Sequence, residues 1–129
     1  MIDREDAERM LDLAAVDLKA VRNMLDPERF ADAVFGFHAQ QAVEKALKAW
    51  LSLRGIAYPK THDLRLLMYL LQAKAHEDSG RFQNLADLTD FAVQFRYDFF
   101  PASAEVNRQD ILTAVEDLLR HCEALLNPL

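Results

Sequence analysis

Cysteine, glycine and proline are all scarce in this chain of 129 residues, and each scarcity excludes something. Cys122 is the only cysteine, so neither an internal disulfide nor a cysteine-built zinc cluster can form. Its place on the apolar stripe of a helix marks it as core filler, not a nucleophile. Three isolated glycines supply neither GxGxxG nor GxxxxGKS/T, so there is no glycine-rich phosphate loop, and no GxSxG elbow occurs either. No apolar run approaches the roughly 20 residues that a membrane span needs. The start, Met1-Ile2-Asp3-Arg4-Glu5-Asp6, lacks the basic residues and apolar run of a signal peptide, so a cytoplasmic location is expected. His38, His62, His76 and His121 fall on four different segments with no HxxxH or ExxH pair, so neither a metal nor a cofactor is expected.

What is abundant is apolar and charged side chain, 51% and 28% of the sequence, which excludes disorder. The length suits a single domain, residues 1–129, able to bury a core without staples. A net charge of −6 argues against general nucleic-acid binding, where affinity depends on neutralising phosphates. The charge is uneven, however. Residues 45–65 hold Lys45, Lys48, Arg54, Lys60 and Arg65 against Asp63 alone, a local basic region that can attract a phosphate or an acidic partner. Pairs such as Asp87 with Asp90, or Glu116 with Asp117, read as solvated faces and not as a hydrolase dyad.

Turn signals fall at Asp26-Pro27, Gly55 to Pro59, Ser79-Gly80 and Pro101 to Ser103, and the segments between them carry helical period. Leu11, Ala14, Leu18, Val21 and Leu25 form one stripe behind an Asp3 cap. Asp26-Pro27 predicts the start of a long second helix reaching Arg54, with Gly55 as its stop. Thr61 is expected to cap a third helix that carries Leu64, Leu67, Met68 and Leu71 and stops at Gly80. A fourth helix carries Phe82, Leu85, Leu88, Ala92 and Phe95 and closes near Arg96-Tyr97-Asp98. A fifth starts near Ser103 or Asn107 and carries Ile111, Val115, Leu118, Cys122 and Leu125. No segment alternates like a strand. Short links between helices force neighbours to reverse, so the expected fold is all-α, an antiparallel up-and-down bundle of four to five helices.

Three constellations carry chemistry. On the second helix His38, Gln41, Lys45 and Lys48 recur at three- and four-residue steps, with Gln40 and Glu44 beside them. This reads either as a solvated face with a Gln40–Glu44–Lys48 ladder or as a binding face, and Val34 and Phe37 on the same side imply partial cover by another helix or a second subunit. At Lys60-Thr61-His62-Asp63-Leu64 a helix N-terminus favours an anion, and His62 can donate to a phosphate, shuttle a proton or simply bond a carbonyl. In Phe95-Arg96-Tyr97-Asp98-Phe99-Phe100-Pro101 the Arg96 fork suits phosphate and Tyr97 can stack on a base. The alternative there is an Arg96–Asp98 latch under an aromatic plug.

Ala39-Gln40-Gln41-Ala42-Val43-Glu44-Lys45-Ala46-Leu47-Lys48-Ala49 resembles the QQAxEKxLKA segment of HEPN domains, Lys60-Thr61-His62-Asp63-Leu64 resembles that family's THDL turn, and Arg96-Tyr97 its RY pair. The resemblance implies a helical bundle that pairs as a homodimer beside a minimal nucleotidyltransferase, in a two-component, toxin–antitoxin-like module. It implies nucleotide binding and, in one branch, metal-independent RNA cleavage by an Arg followed four to six residues later by His. Here the positions after Arg96 that would carry His are Pro101, Ala102 and Ser103. The expectation is therefore a non-catalytic or weakly catalytic dimer that binds a nucleotide or the nucleotidyltransferase through Gln41, Lys45, Lys48, Lys60, His62, Arg96 and Tyr97. The alternatives are an endoribonuclease with a non-standard site, using His62 and Arg96, and a dimeric interaction scaffold.

Overall fold

The computed structural model describes residues 2–77, 79–90 and 107–128. Within them the chain forms α1 (Arg4–Asn23), α2 (Asp32–Leu53), α3 (Leu64–Ala75), a 3-10 helix (Gly80–Leu88) and α4 (Arg108–Leu126). No strand occurs among the described residues, and the fold is the expected all-α bundle. α2 is its axis: it packs on α1, α3, the 3-10 helix and α4, most extensively on α1.

Among the described residues the predicted stripes pack into the core, with Leu25, Ile111 and Leu125 at its edge and only partly buried. Leu11, Ala14, Leu18 and Val21 of α1 meet Phe35, Ala39, Val43, Ala46, Leu47 and Trp50 of α2, and Leu67 and Leu71 join the same core with Val115, Leu118 and Cys122. The Asp3 carboxylate accepts the amide of Asp6 at 2.9 Å, capping α1 as its position predicts. Asn107 caps α4 by accepting the Asp110 amide at 3.0 Å. Gly55 takes the left-handed φ of 72° that ends α2, and the Ile56 amide reaches back to the Leu51 carbonyl at 2.9 Å, a Schellman closure.

Four boundaries differ from the sequence reading. α2 begins at Asp32 and not at Pro27. Asp26 does cap a turn, taking the Glu28 amide at 2.9 Å, yet the turn stops at Phe30. In a continuous helix the Phe30 carbonyl would accept the amide of Val34; here Arg108 Nη2 takes it at 2.6 Å, and Val34 bonds Ala31 at 3.1 Å. α3 is capped by Asp63, whose carboxylate accepts Arg65 at 3.0 Å and Leu66 at 3.4 Å. Thr61 instead accepts the Asp63 amide at 3.0 Å, which leaves His62 in the loop ahead of the helix. α3 ends at Ala75, before Gly80, because His76 turns left-handed at φ 55° and Glu77 is held by Arg54 and Trp50. The fourth segment is a 3-10 helix where it is described, and Phe82, Leu85 and Leu88, exactly three apart, are the residues that period stacks on one face. The sequence reading of Ala92 to Ser103 lies outside the described residues.

Arg108 ties the ends of three helices together. Its guanidinium is buried, donates to the Met24 carbonyl at 2.6 Å, the Phe30 carbonyl at 2.6 Å and the Asp32 carboxylate at 2.7 Å, and lies 4.9 Å from the Phe35 ring centroid. Arg108→Ala strips partners from those carbonyls and opens a hole against Phe35, and should lower unfolding free energy by about 2–4 kcal/mol. Arg108→Lys should restore little of it, because one ammonium cannot reproduce the fork. Urea unfolding of both variants measures this; a loss in Arg108→Ala within the error of wild type would show that the strap does not hold the fold.

Candidate functional site

Because α2 is covered on nearly every side, its polar side chains cannot all be solvated. Gln40, Glu44 and Lys48 stack at four-residue steps along one flank, and all three are buried, so the solvated-ladder reading is corrected. The loop over residues 54–63 lies across this flank. Glu44 Oε1 accepts Gln40 Nε2 at 3.1 Å and lies 2.7 Å from His62 Nδ1, while Oε2 accepts Lys48 Nζ at 3.0 Å. Gln40 Nε2 also donates to the His62 carbonyl at 3.1 Å, and Gln41 Nε2 donates to Gln40 Oε1 at 2.7 Å. Gln41, Lys48 and His62 therefore belong to one network whose centre is a buried carboxylate. The Glu44 side chain is 5% exposed and that of His62 53%, so the network runs from the interior to the surface. Lys60, also exposed, precedes His62 by two residues.

Lys45 belongs elsewhere. Its Nζ donates to Asp17 Oδ2 of α1 at 2.7 Å, and His38 Nδ1 lies 3.1 Å from Asp17 Oδ1. The structure thus separates Lys45 from His62, and both Lys45 and Lys48 are already balanced by a buried acid. Arg96 and Tyr97 lie outside the described residues.

A third polar group joins α1 to the same loop. Asp6 Oδ2 accepts Ser52 Oγ at 2.7 Å and the Tyr58 hydroxyl at 2.8 Å, and Asp6 Oδ1 accepts Arg9 Nη2 at 2.5 Å. Burial alone would raise the Asp6 carboxyl, but the donors from Ser52, Tyr58 and Arg9 outweigh it and hold the group below its usual value. Burial, with the hydrogen bond to Asp6, pushes Tyr58 up to about 12. These residues border an open cleft of about 510 Å³ lined by Asp3, Asp6, Ser52, Ile56 and Tyr58. Lys48 Nζ sits 5.5 Å from the Tyr58 ring centroid, linking the cleft to the Glu44 network.

At the far end of α2, Trp50 Nε1 donates to Glu77 Oε1 at 3.3 Å, and Arg54 pairs with the same carboxylate. The His121 ring packs at a tilt with its centroid 4.5 Å from that of Trp50 and 5.9 Å from that of Phe82, with Nε2 buried and unbonded among the described residues. Among the described residues no three His, Cys, Asp or Glu side chains are placed to share a metal ion. No described helix is long and apolar enough to cross a membrane.

The sequence reading missed Asp17, Asp6 and Tyr58, and treated Glu44 as surface. Asp17 had a visible signal, since an acid three residues after Ala14 and four before Val21 stands on the apolar stripe of α1. Asp6 and Tyr58 had none, being 52 residues apart.

His121 gives a pH-dependent stability. Burial, reinforced by Arg81, holds its pKa below the ordinary histidine value, so the folded chain keeps the ring neutral while the unfolded chain takes up a proton first. That contribution is complete above about pH 6.5 and is lost as pH falls below it. Glu77, held low chiefly by Arg54, adds a second loss beginning nearer the carboxylate range. His121→Phe should flatten the decline between about pH 6.5 and 5 in urea unfolding; an unchanged decline in that variant would assign it to other groups.

A family profile described as the HEPN domain matches residues 6–127, nearly the whole chain. No curated protein and no solved structure matches it. The match and the helical bundle agree: the chain belongs to the HEPN domain family, a helical family of nucleotide-binding and ribonuclease-like proteins.

Proposed function

We propose that this protein binds a nucleotide at the mouth of the Glu44 network and acts as a homodimer in a two-component, toxin–antitoxin-like module with a minimal nucleotidyltransferase. One observation carries the reading: His62 is held at the surface by a buried carboxylate whose charge Lys48 already balances. A purely structural glutamate on a covered helix needs only one cation. Here the same carboxylate also fixes an exposed imidazole, and Gln40 fixes the backbone that bears it. Lys60 supplies positive charge close to His62 in the chain, and Gln41 joins the site through Gln40; Arg96 and Tyr97 are proposed to complete it, whereas Lys45, held by Asp17, is not part of it.

Thermal-shift and calorimetric titration with ATP, GTP and their monophosphates tests this. A ligand present at 100 times its dissociation constant stabilises the fold by about 2.7 kcal/mol; His62→Ala and Lys60→Ala should each weaken binding several-fold, and Lys60→Ala, at an exposed position, should leave the apo melting temperature nearly unchanged. No shift with any of the nucleotides would overturn the reading.

For dimerisation the support is apolar surface. Leu13 and Val16 of α1 are 40% and 69% exposed, and Val34 and Phe37 on the neighbouring helix are only half-buried. Light scattering at micromolar concentration should give about twice the 14.8 kDa chain mass, and Val16→Glu should shift the population towards monomer. A 14.8 kDa species in wild type would remove the dimer.

A further inference from the structure

Two nitrogens of one imidazole do different work, and the Glu44 network decides which does what. Glu44 Oε1 receives Gln40 Nε2 and Oε2 receives Lys48 Nζ, both of which can only donate, so the carboxylate acts as an acceptor towards all its partners. His62 Nδ1, 2.7 Å from Oε1, must then carry the hydrogen. In a neutral imidazole this leaves Nε2 without one, as an acceptor. In that neutral form His62 offers a ligand a lone pair and no charge. A phosphate oxygen facing that lone pair would meet acceptor against acceptor, whereas a hydroxyl would donate to it.

We infer that Glu44 is a positioning residue that locks His62 with Nε2 as hydrogen-bond acceptor, so that His62 takes a ribose hydroxyl of the ligand while the phosphates lie towards Lys60. The site then discriminates against a nucleotide that lacks the one hydroxyl, 2′ or 3′, that His62 takes. The inference rests on the nucleotide-binding reading and specifies which part of the nucleotide His62 touches.

The test has two parts that fail separately. Long-range nitrogen–proton NMR at pH 8.5, above the usual histidine range, should show His62 Nδ1 protonated and Nε2 bare in the wild-type protein; the opposite tautomer overturns the inference with or without a ligand. Titration with ATP, 2′-deoxy-ATP and 3′-deoxy-ATP should show one deoxy analogue binding about fivefold more weakly, as loss of one hydrogen bond implies, and His62→Ala should erase the difference. Equal binding of all three to wild type overturns the inference but leaves nucleotide binding standing. Binding of none overturns the nucleotide reading itself. In Glu44→Gln the side-chain amide can accept or donate, so a mixture of tautomers and a reduced ribose preference are expected; an unchanged tautomer and preference would show that Glu44 does not set them. Should that variant fail to fold, the wild-type spectrum and the His62→Ala titration decide alone.

Discussion

A carboxylate buried on the central helix governs much of this structure. α2 touches every other described element, so few of its faces are left to water. Glu44 is on a covered one, at 4% exposure, and an ionised acid there must be matched by donors or it would cost several kcal/mol. Lys48, one turn away, provides the counter-charge, and Gln40, one turn the other way, provides an amide. The third donor has to come from outside the helix. It comes from His62, and the loop over residues 54–63 is thereby fixed against α2.

The stability contributed by this arrangement is modest in net terms. Buried ion pairs break roughly even against apolar residues of the same shape, while removal of one partner is strongly destabilising. What the network provides is placement. The loop is held at Tyr58 by Asp6 and Lys48 and at His62 by Glu44 and Gln40, while Gly55 sets its departure from α2. The exposed imidazole therefore has a defined position and orientation although it lies outside any helix. The Asp17–Lys45–His38 group repeats the logic between α1 and α2, again an acid, its lysine and a histidine, with the acid 11% and the histidine 32% exposed at the side chain.

How much of this was legible in the sequence follows from the range of each interaction. The helical stripes among the described residues and the Asp3 cap are set by residues within one or two turns and were read correctly, and Asn107, which caps the last helix, was one of the two starts read for it. Gly55 was legible for the same reason, since a left-handed residue after a helix is a local demand. The start of α2 was not, because the residue that diverts the Phe30 carbonyl is Arg108, 78 positions away. Asp26-Pro27 gave an accurate local signal, a capped turn, which a distant guanidinium then ended. The site divides along the same line. The spacing of Gln40, Glu44 and Lys48 was visible, but whether that flank faced water or a loop depended on where residues 54–63 return.

Charge arithmetic over a stretch of sequence misleads for a related reason. Residues 45–65 look strongly basic when counted along the chain, yet Lys45 and Lys48 each lie within hydrogen-bonding distance of an acid, Asp17 from another helix and Glu44 from just outside the counted window. Arg54 pairs with Glu77, and Arg65 with Asp87. Of the five cations counted there, Lys60 alone has no acidic partner among the described residues. Any attraction this face exerts on a phosphate is therefore concentrated near Lys60 and His62 and not spread along α2. The two groups differ in how they are held: Lys60 is exposed and has no acidic partner among the described residues, whereas the His62 imidazole is fixed from beneath by Glu44 and is the group able to impose geometry on whatever meets it.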